Sequence, residues 1–233
     1  MYTYLIIVFF SGLIPFVCSF DSRVRYYKSW PAIFPAILTT AMLFIVWDIY
    51  FTAWGFWGFN EEYLTGLHMS NLPAEKVLFF ICIPYACLFI HEVLRYFNIN
   101  FFKNHCRWVS YILIFICFFI GLVHIDKPYT GLVFVLLGML IFGIEIWGRP
   151  VYMGRFYTTY IFSLFPFCIM NGLLTNGIGQ ISVHPVVWYN NYAILGVRLM
   201  GIPVEDFFYL MLLLLSNVTI LEFLRKNHHV KEK

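Results

Sequence analysis

The stretch "GIPVEDFFY", residues 201–209, places two adjacent carboxylates, Glu205 and Asp206, directly before an apolar run. The run, 207–218, is nearly all Phe, Leu and Met. One explanation is a helix start, because Pro suits the first turn and a carboxylate favours the positive end of the helix dipole. The other is function, because an acid near the centre of a membrane helix costs roughly 2.5–3.5 kcal/mol. The surrounding sequence decides how much weight each explanation receives.

The composition of the chain indicates a membrane protein. Of its 233 residues, 61% are hydrophobic and 12% are charged, which is about half the charged fraction of a soluble domain. Apolar runs long enough to cross ~30 Å of hydrocarbon occur at 2–20, 30–52, 74–96, 107–123, 130–147, 152–174 and 204–224. The sequence therefore predicts an all-α, polytopic bundle of about seven transmembrane helices that forms a single membrane domain.

The basic residues set the expected orientation of this bundle. The net charge is only +3, and the cations form no basic stripe, so we expect no nucleic-acid partner. They concentrate instead in alternate connections, which face the cytoplasm by the positive-inside rule. We therefore predict an N-terminus outside and a C-terminus in the cytoplasm. The cations that carry this prediction are Arg23, Arg25, Lys28, Arg95, Lys103, Arg107, Arg149, Arg155, Arg225, Lys226, Lys231 and Lys233.

A weak internal repeat appears at an offset of 130 residues. Eight identities support it: Asn60, Gly66, Pro73, Glu75, Ile90, Glu92, Leu94 and Arg95 recur as Asn190, Gly196, Pro203, Glu205, Ile220, Glu222, Leu224 and Arg225. The repeat divides the chain into a first three-helix repeat at 1–97, a connector helix at 98–129 and a second three-helix repeat at 130–233. An even number of crossings separates the copies, so the repeats are predicted to be parallel.

Two sets of polar residues lie at opposite ends of these helices. The inner pairs, Glu92 with Arg95 and Glu222 with Arg225, have the i, i+3 spacing of local ion pairs, and we assign them to structure. The outer set combines acids, amides and aromatic residues. Its aromatic rings suit an interfacial belt, or a wall whose ring faces stabilise a cation.

Several catalytic signatures are missing from the sequence. We find no HExxH, no GxSxG, no GxGxxG after a strand pattern and no repeated aspartate motif that would hold magnesium diphosphate. The seven histidines have no ligand spacing, and the six cysteines form no CxxC pair. We therefore expect no metal site, and no cofactor is evident.

The paired signatures "PAEK" at 73–76 and "PVEDFF" at 203–208, set in two three-helix halves, resemble those of the integral-membrane lycopene cyclase family. The resemblance covers essentially the whole chain and is closest to the fused form of the two-subunit enzyme, without a phytoene synthase domain. The first copy departs from the pattern, because Lys76 stands where a second acid is expected. This asymmetry suggests different roles for the two halves.

The resemblance implies a lycopene β-cyclase that forms β-ionone rings from the linear ends of lycopene, giving γ-carotene and β-carotene. One carboxyl would protonate a terminal double bond, and a base would remove a ring proton. We expect Glu205 and Glu75 to form the catalytic core, with Asp206, Asp48 and Glu62 as partners. The expected substrate-binding residues are Trp57, Tyr63, Asn171, Trp188, Asn190, Asn191 and Tyr192.

The expected partners are therefore lycopene or a related carotenoid, membrane lipid and, potentially, other carotenoid enzymes. Two alternatives stay open at this point. A membrane prenyltransferase shares the helical architecture but requires the missing Asp-rich motifs. A non-catalytic carotenoid-binding or lipid-binding membrane protein would use the acids only as helix caps.

Overall fold

The computed structural model describes residues 2–148, 150–178 and 183–231. Its architecture is all-α, as the sequence predicts. The seven helices are α1 (Thr3–Cys18), α2 (Trp30–Ala53), α3 (Ala74–Tyr96), α4 (Cys106–Val123), α5 (Pro128–Trp147), α6 (Met153–Leu174) and α7 (Val204–Lys231). Apart from the C-terminal end of α7, their bounds agree with the predicted spans to within two residues.

Six of the seven helices, α2 to α7, are long and apolar enough to cross a membrane. The protein is therefore an integral membrane protein with a polytopic bundle. Helix α1 has only 16 residues, fewer than the ~20 that a crossing normally needs, so its crossing stays a prediction. The orientation of the termini also stays a prediction. Arg149 and Lys233, two of the cations behind it, lie outside the described residues, as does the side chain of Lys231.

Helix α7 lies at the centre of the bundle and packs against α2, α3, α5 and α6. Helix α1 packs mainly against α3, and α4 packs mainly against α5. The central position of α7 is consistent with its composition, because the side chains from Tyr209 to Leu215 are all buried. An apolar helix that is buried on every side needs no polar face.

Six short strands occur in the connections before α3 and α7, where the sequence indicated only loops. They are β1 (Trp57–Phe59), β2 (His68–Met69), β3 (Leu72–Pro73), β4 (Val187–Tyr189), β5 (Arg198–Leu199) and β6 (Ile202–Pro203). Strands β2 and β3 form one hairpin, and β5 and β6 form another. Runs of two or three residues are too short to produce an alternating pattern in the sequence. We call the end of the bundle that carries these strands the loop end.

Strands β1 and β4 pair with each other and so join the two connections. Trp57 lies opposite Tyr189, and Phe59 lies opposite Val187. Two further backbone hydrogen bonds extend the pair symmetrically: Asn60 N–H donates to the Val186 carbonyl, and Asn190 N–H donates to the Phe56 carbonyl, both at 2.9 Å.

The two hairpins have matching backbone geometry at the 130-residue offset. Gly66 and Gly196 have φ values of +81° and +82°, a left-handed conformation that favours glycine. The N–H of the first residue of α3, Ala74, bonds to the Leu67 carbonyl, and the corresponding N–H of Val204 in α7 bonds to the Val197 carbonyl. These loops are therefore alike, while the division into three-helix repeats stays a prediction.

The predicted ion pairs at the opposite end of the bundle are confirmed. The distances are 3.7 Å from Arg95 Nη1 to Glu92 Oε2 and 3.1 Å from Arg225 Nη1 to Glu222 Oε1. Arg225 Nη2 also lies 2.8 Å from Glu92 Oε2, so it joins α3 to α7. This set is structural and lies on a different part of α3 and α7 from the acids at the loop end.

Candidate functional site

A small buried cavity lies at the loop end, below the β1–β4 pair. Its volume is about 30 Å³, close to that of a single water molecule in the liquid. Aromatic and aliphatic side chains form most of its wall, and the exceptions are Lys76, Asn171 and Asp206. The lining residues are Tyr4, Trp57, Lys76, Phe79, Tyr129, Phe167, Asn171, Leu174, Val187, Tyr189, Asp206 and Tyr209.

Asp206 is the acid that reaches this cavity. Its carboxylate accepts hydrogen bonds from the hydroxyl of Tyr129 at 2.7 Å, the hydroxyl of Tyr189 at 2.6 Å and the amide of Asn171 at 2.8 Å. Burial, followed by the charge of Asp206, raises the pKa of Tyr189 well above its usual value. The Tyr189 hydroxyl therefore keeps its proton at neutral pH and remains available as a donor.

Lys76 and Asp48 form a buried ion pair beside the same cavity. The distance from Lys76 Nζ to Asp48 Oδ2 is 3.1 Å, and the Tyr209 hydroxyl donates to Asp48 Oδ1 at 2.9 Å. The Lys76 ammonium also lies 4.8 Å from the ring centroid of Phe79 and 5.8 Å from that of Trp57. The rings around the cavity thus already surround a positive charge, which is favourable where water is excluded.

Glu75 and Glu205 hold the hairpins rather than lining the cavity. Each is fully buried, and its Oε1 accepts the N–H of the residue ten positions earlier: Thr65 at 2.6 Å and Leu195 at 2.7 Å. Glu205 Oε1 also accepts the Thr130 hydroxyl at 2.5 Å. The Oε2 atom of each glutamate is buried without a hydrogen-bond partner among the described residues. Their predicted role in proton transfer stays a prediction.

The structure brings only part of the predicted set to the cavity. Trp57, Asn171 and Asp206 line it, and Asp48 lies directly behind Lys76. The Tyr63 hydroxyl instead accepts the N–H groups of Val183 and His184 in the connection before β4.

The other predicted residues lie on the surface of the loop end. Glu62 is exposed in a short 3₁₀ turn, Glu61–Tyr63, where its backbone N–H bonds to the side chain of Asn60. Trp188, Asn190, Asn191 and Tyr192 are exposed as well. Asn190 and Asn191 bond to neighbouring loop groups.

Several cavity residues were missed by the sequence argument. Lys76 was noted only as a departure from the acidic pattern, although the 130-residue offset aligns it with Asp206. Tyr209 lies in an apolar run and Tyr129 directly precedes one, and at such positions a tyrosine gives no signal of its own. The clue to these two tyrosines was the presence of Asp206 and Asp48 in the predicted set, because a buried tyrosine hydroxyl usually finds a hydrogen-bond partner.

The fold and this site together define a class: a polytopic membrane protein with a buried acid in an aromatic cavity. The family model for lycopene cyclase matches residues 1–94 and 126–224, which is most of the chain. The protein therefore belongs to the lycopene cyclase family. The segment between the two matched regions contains α4. Neither the curated proteins nor the solved structures compared with this chain include a match.

Membership in this family supports a cyclase acting on a carotenoid in broad terms.

Proposed function

We propose that this protein is a lycopene β-cyclase that converts the linear ends of lycopene into β-ionone rings by a proton-initiated, redox-neutral isomerisation. The observation that carries this proposal is the position of Asp206, whose carboxyl lines a buried cavity with aromatic walls. The family assignment supports the substrate class. The identity of the ring and of the proton donor belongs to the proposal.

Asp206 can supply and recover the proton in one cycle. Its protonated carboxyl donates to the terminal double bond and leaves a tertiary cation. A second double bond of the polyene then attacks the cation and closes the ring, which moves the positive charge onto the ring. The Asp206 carboxylate finally removes a ring proton to form the ring double bond. No atom is gained or lost, as an isomerisation requires.

The neighbours of Asp206 suit both of its protonation states. The hydroxyls of Tyr129 and Tyr189 donate to the carboxylate, and a tyrosine hydroxyl can also accept from the protonated acid. Asn171 holds one carboxylate oxygen through its amide. These three contacts fix the direction of the carboxyl group while its charge changes.

The aromatic wall supports a cationic intermediate. The rings of Trp57 and Phe79 lie within 6 Å of the Lys76 ammonium, so their faces are arranged to stabilise positive charge. Because Asp48 pairs with this ammonium, the lysine repels a nearby carbocation less strongly than an unpaired cation would. In a buried cavity such preorganised charges act more strongly than in water.

A cavity of about 30 Å³ is smaller than the end group that would cyclise there. Binding therefore requires side chains of the wall to move apart, and the end of the substrate would occupy the space that they leave. We expect the aromatic residues to remain in contact with the substrate, because ring closure needs a folded polyene end held near the acid.

Expression in cells that accumulate lycopene tests the proposal. We expect chromatography of extracted pigments to reveal γ-carotene or β-carotene, and lycopene alone in cells with the empty vector. Unchanged lycopene, together with full-length protein in the membrane fraction, would contradict cyclisation of this substrate and favour a non-catalytic lipid-binding protein.

A further inference from the structure

A second, larger apolar space opens beside the cavity, among α1, α3 and α6. It is a groove of about 540 Å³, and α3 contributes Ile83, Ala86 and Cys87 to it. Helix α1 contributes Ile7 and Ser11 to its lining, and α6 contributes Ser163, Phe167 and Leu173.

The groove continues the cavity towards the middle of the bundle on α1 and α3, and it runs beside the cavity on α6. On α1, Tyr4 lines the cavity and Ile7 lines the groove; on α3 the corresponding pair is Phe79 and Ile83. Residues three or four apart share one face of a helix. On α6, Phe167 lines both spaces. Because Phe167 lines both, the groove and the cavity meet at this side chain. Its ring is packed edge-on against Phe207.

The groove opens on the lipid-facing surface and has no charged group in its lining. Phe10, Ile14 and Phe165 are exposed along it, whereas Ile83, Cys87 and Ser163 are buried in it. From Ser163 to Leu173 the wall of α6 is about 15 Å long at ~1.5 Å per residue. An occupant must therefore be apolar, extended and about 15 Å long where it is held.

We propose that this groove binds about half of an extended polyene chain, with one end of the chain directed past Phe167 into the Asp206 cavity. This inference rests on the proposed function for the identity of the polyene. A C40 polyene is about as long as the ~30 Å hydrocarbon layer, so its other half stays in lipid. The enzyme then processes one end at a time, and the second end requires release and rebinding.

Filling the groove tests this proposal. Ala86→Phe fills it from α3 and Ser11→Phe from α1, while Ala32→Phe on α2 is the matched control. Ala32 is half-buried like Ala86 but does not line the groove. Each variant is expressed in lycopene-accumulating cells, quantified in the membrane fraction and purified in detergent. Co-purified carotenoid per protein and cyclised product in the cells are then measured.

We expect Ala86→Phe and Ser11→Phe to lower both retained carotenoid and product at least tenfold, and Ala32→Phe to match the wild type. Asp206→Asn should retain carotenoid without forming product. Wild-type levels of both readouts in the two groove variants would overturn the groove assignment while leaving cyclisation intact. If Ala86→Phe does not accumulate, Ser11→Phe decides, because the hydroxyl that it removes bonds to Val8 in its own helix turn.

The same measurements separate this inference from the proposed function. A wild-type protein that retains lycopene without product contradicts cyclisation, and a tenfold loss of that pigment in the groove variants still supports the groove. If the wild type instead retains phospholipid and no carotenoid, and Ala86→Phe loses that phospholipid, this result would overturn the polyene as the occupant. A wild type with neither pigment nor product overturns both proposals for lycopene.

Discussion

Lys76 and Asp206 lie at corresponding positions, 130 residues apart, and line the same buried cavity. Each is the third residue after a hairpin proline, on α3 and α7 respectively. Lys76 pairs with Asp48 of α2, and Asp206 is held by Asn171 of α6. A cation on one helix and an acid on the other give this cavity two chemically different sides.

Asp206→Asn should abolish cyclised product while the protein still accumulates in the membrane. The amide keeps the size of the side chain but cannot donate a carboxylic proton to an alkene. Removing a general acid or base typically costs 10²–10⁴ in rate, and we expect a loss of at least ~100-fold. Pigment chromatography measures it. The control is Asp126→Asn at an exposed acid, and substantial product from Asp206→Asn would show that another group moves the proton.

Glu205→Gln should retain most of the activity, whereas Glu205→Ala should not. The glutamine oxygen can still accept the Leu195 N–H and the Thr130 hydroxyl, and alanine accepts neither. Each donor left without an acceptor in the interior costs roughly 1–3 kcal/mol, so the alanine variant should lose folded protein. Glu75→Gln and Glu75→Ala form a matched pair. Full loss of product in a well-folded Glu205→Gln protein would support the sequence-based prediction that this acid takes part in catalysis.

Lys76→Met should destabilise the protein more than the double variant Lys76→Met/Asp48→Asn. Removing one partner of a buried ion pair leaves an uncompensated charge and costs roughly 3–5 kcal/mol. The double variant removes both charges. Thermal unfolding in detergent measures the difference. Equal stability of the single and double variants would mean that Asp48 finds another partner when Lys76 is absent.

Gly58→Ala should destabilise the β1–β4 pair. A Cβ atom at Gly58 would lie 2.3 Å from Cζ2 of Trp188, so the indole must move, and such overpacking costs roughly 1–3 kcal/mol. Trp188→Ala should restore stability in the double variant. Gly143→Ala is the control, because a Cβ there meets no atom within 4 Å.

Product formation by Trp188→Ala alone provides a separate test. Because Trp188 does not line the cavity, this variant should keep its activity. A large loss of product with normal folding would assign Trp188 to substrate binding, as the sequence argument expected.

The helices of this fold could be predicted because each produces a long, mainly apolar run. Glu205 and Asp206 could also be singled out, since two carboxylates beside such a run are rare. Their separate roles could not be predicted. Adjacent helical side chains point about 100° apart, so Glu205 meets the hairpin backbone while Asp206 meets the cavity. Only the packing of α7 against α5 and α6 reveals which acid has which neighbours.

Asn171 was among the predicted site residues, but the two tyrosine partners of Asp206 were not predicted, for a similar reason. Tyr129 is 77 residues away and donates to it from the first turn of α5. Tyr189 reaches it from β4, a strand of three residues. For the opposite side of the cavity the sequence did hold a clue. The 130-residue offset aligns Lys76 with Asp206 and so indicates that the two copies differ in charge at this position.

The symmetric pairing of β1 with β4 has a consequence for self-association. Either connection carries the backbone groups needed to pair with a second copy of itself, as in an isologous dimer. Pairing of two second segments would bring two buried aspartates together, whereas Lys76 of the first segment is already paired with Asp48 of its own half. Like charges in a dry interior repel strongly. Pairing the two unlike halves, as in this chain, places Lys76 and Asp206 on one cavity and avoids setting two buried aspartates side by side.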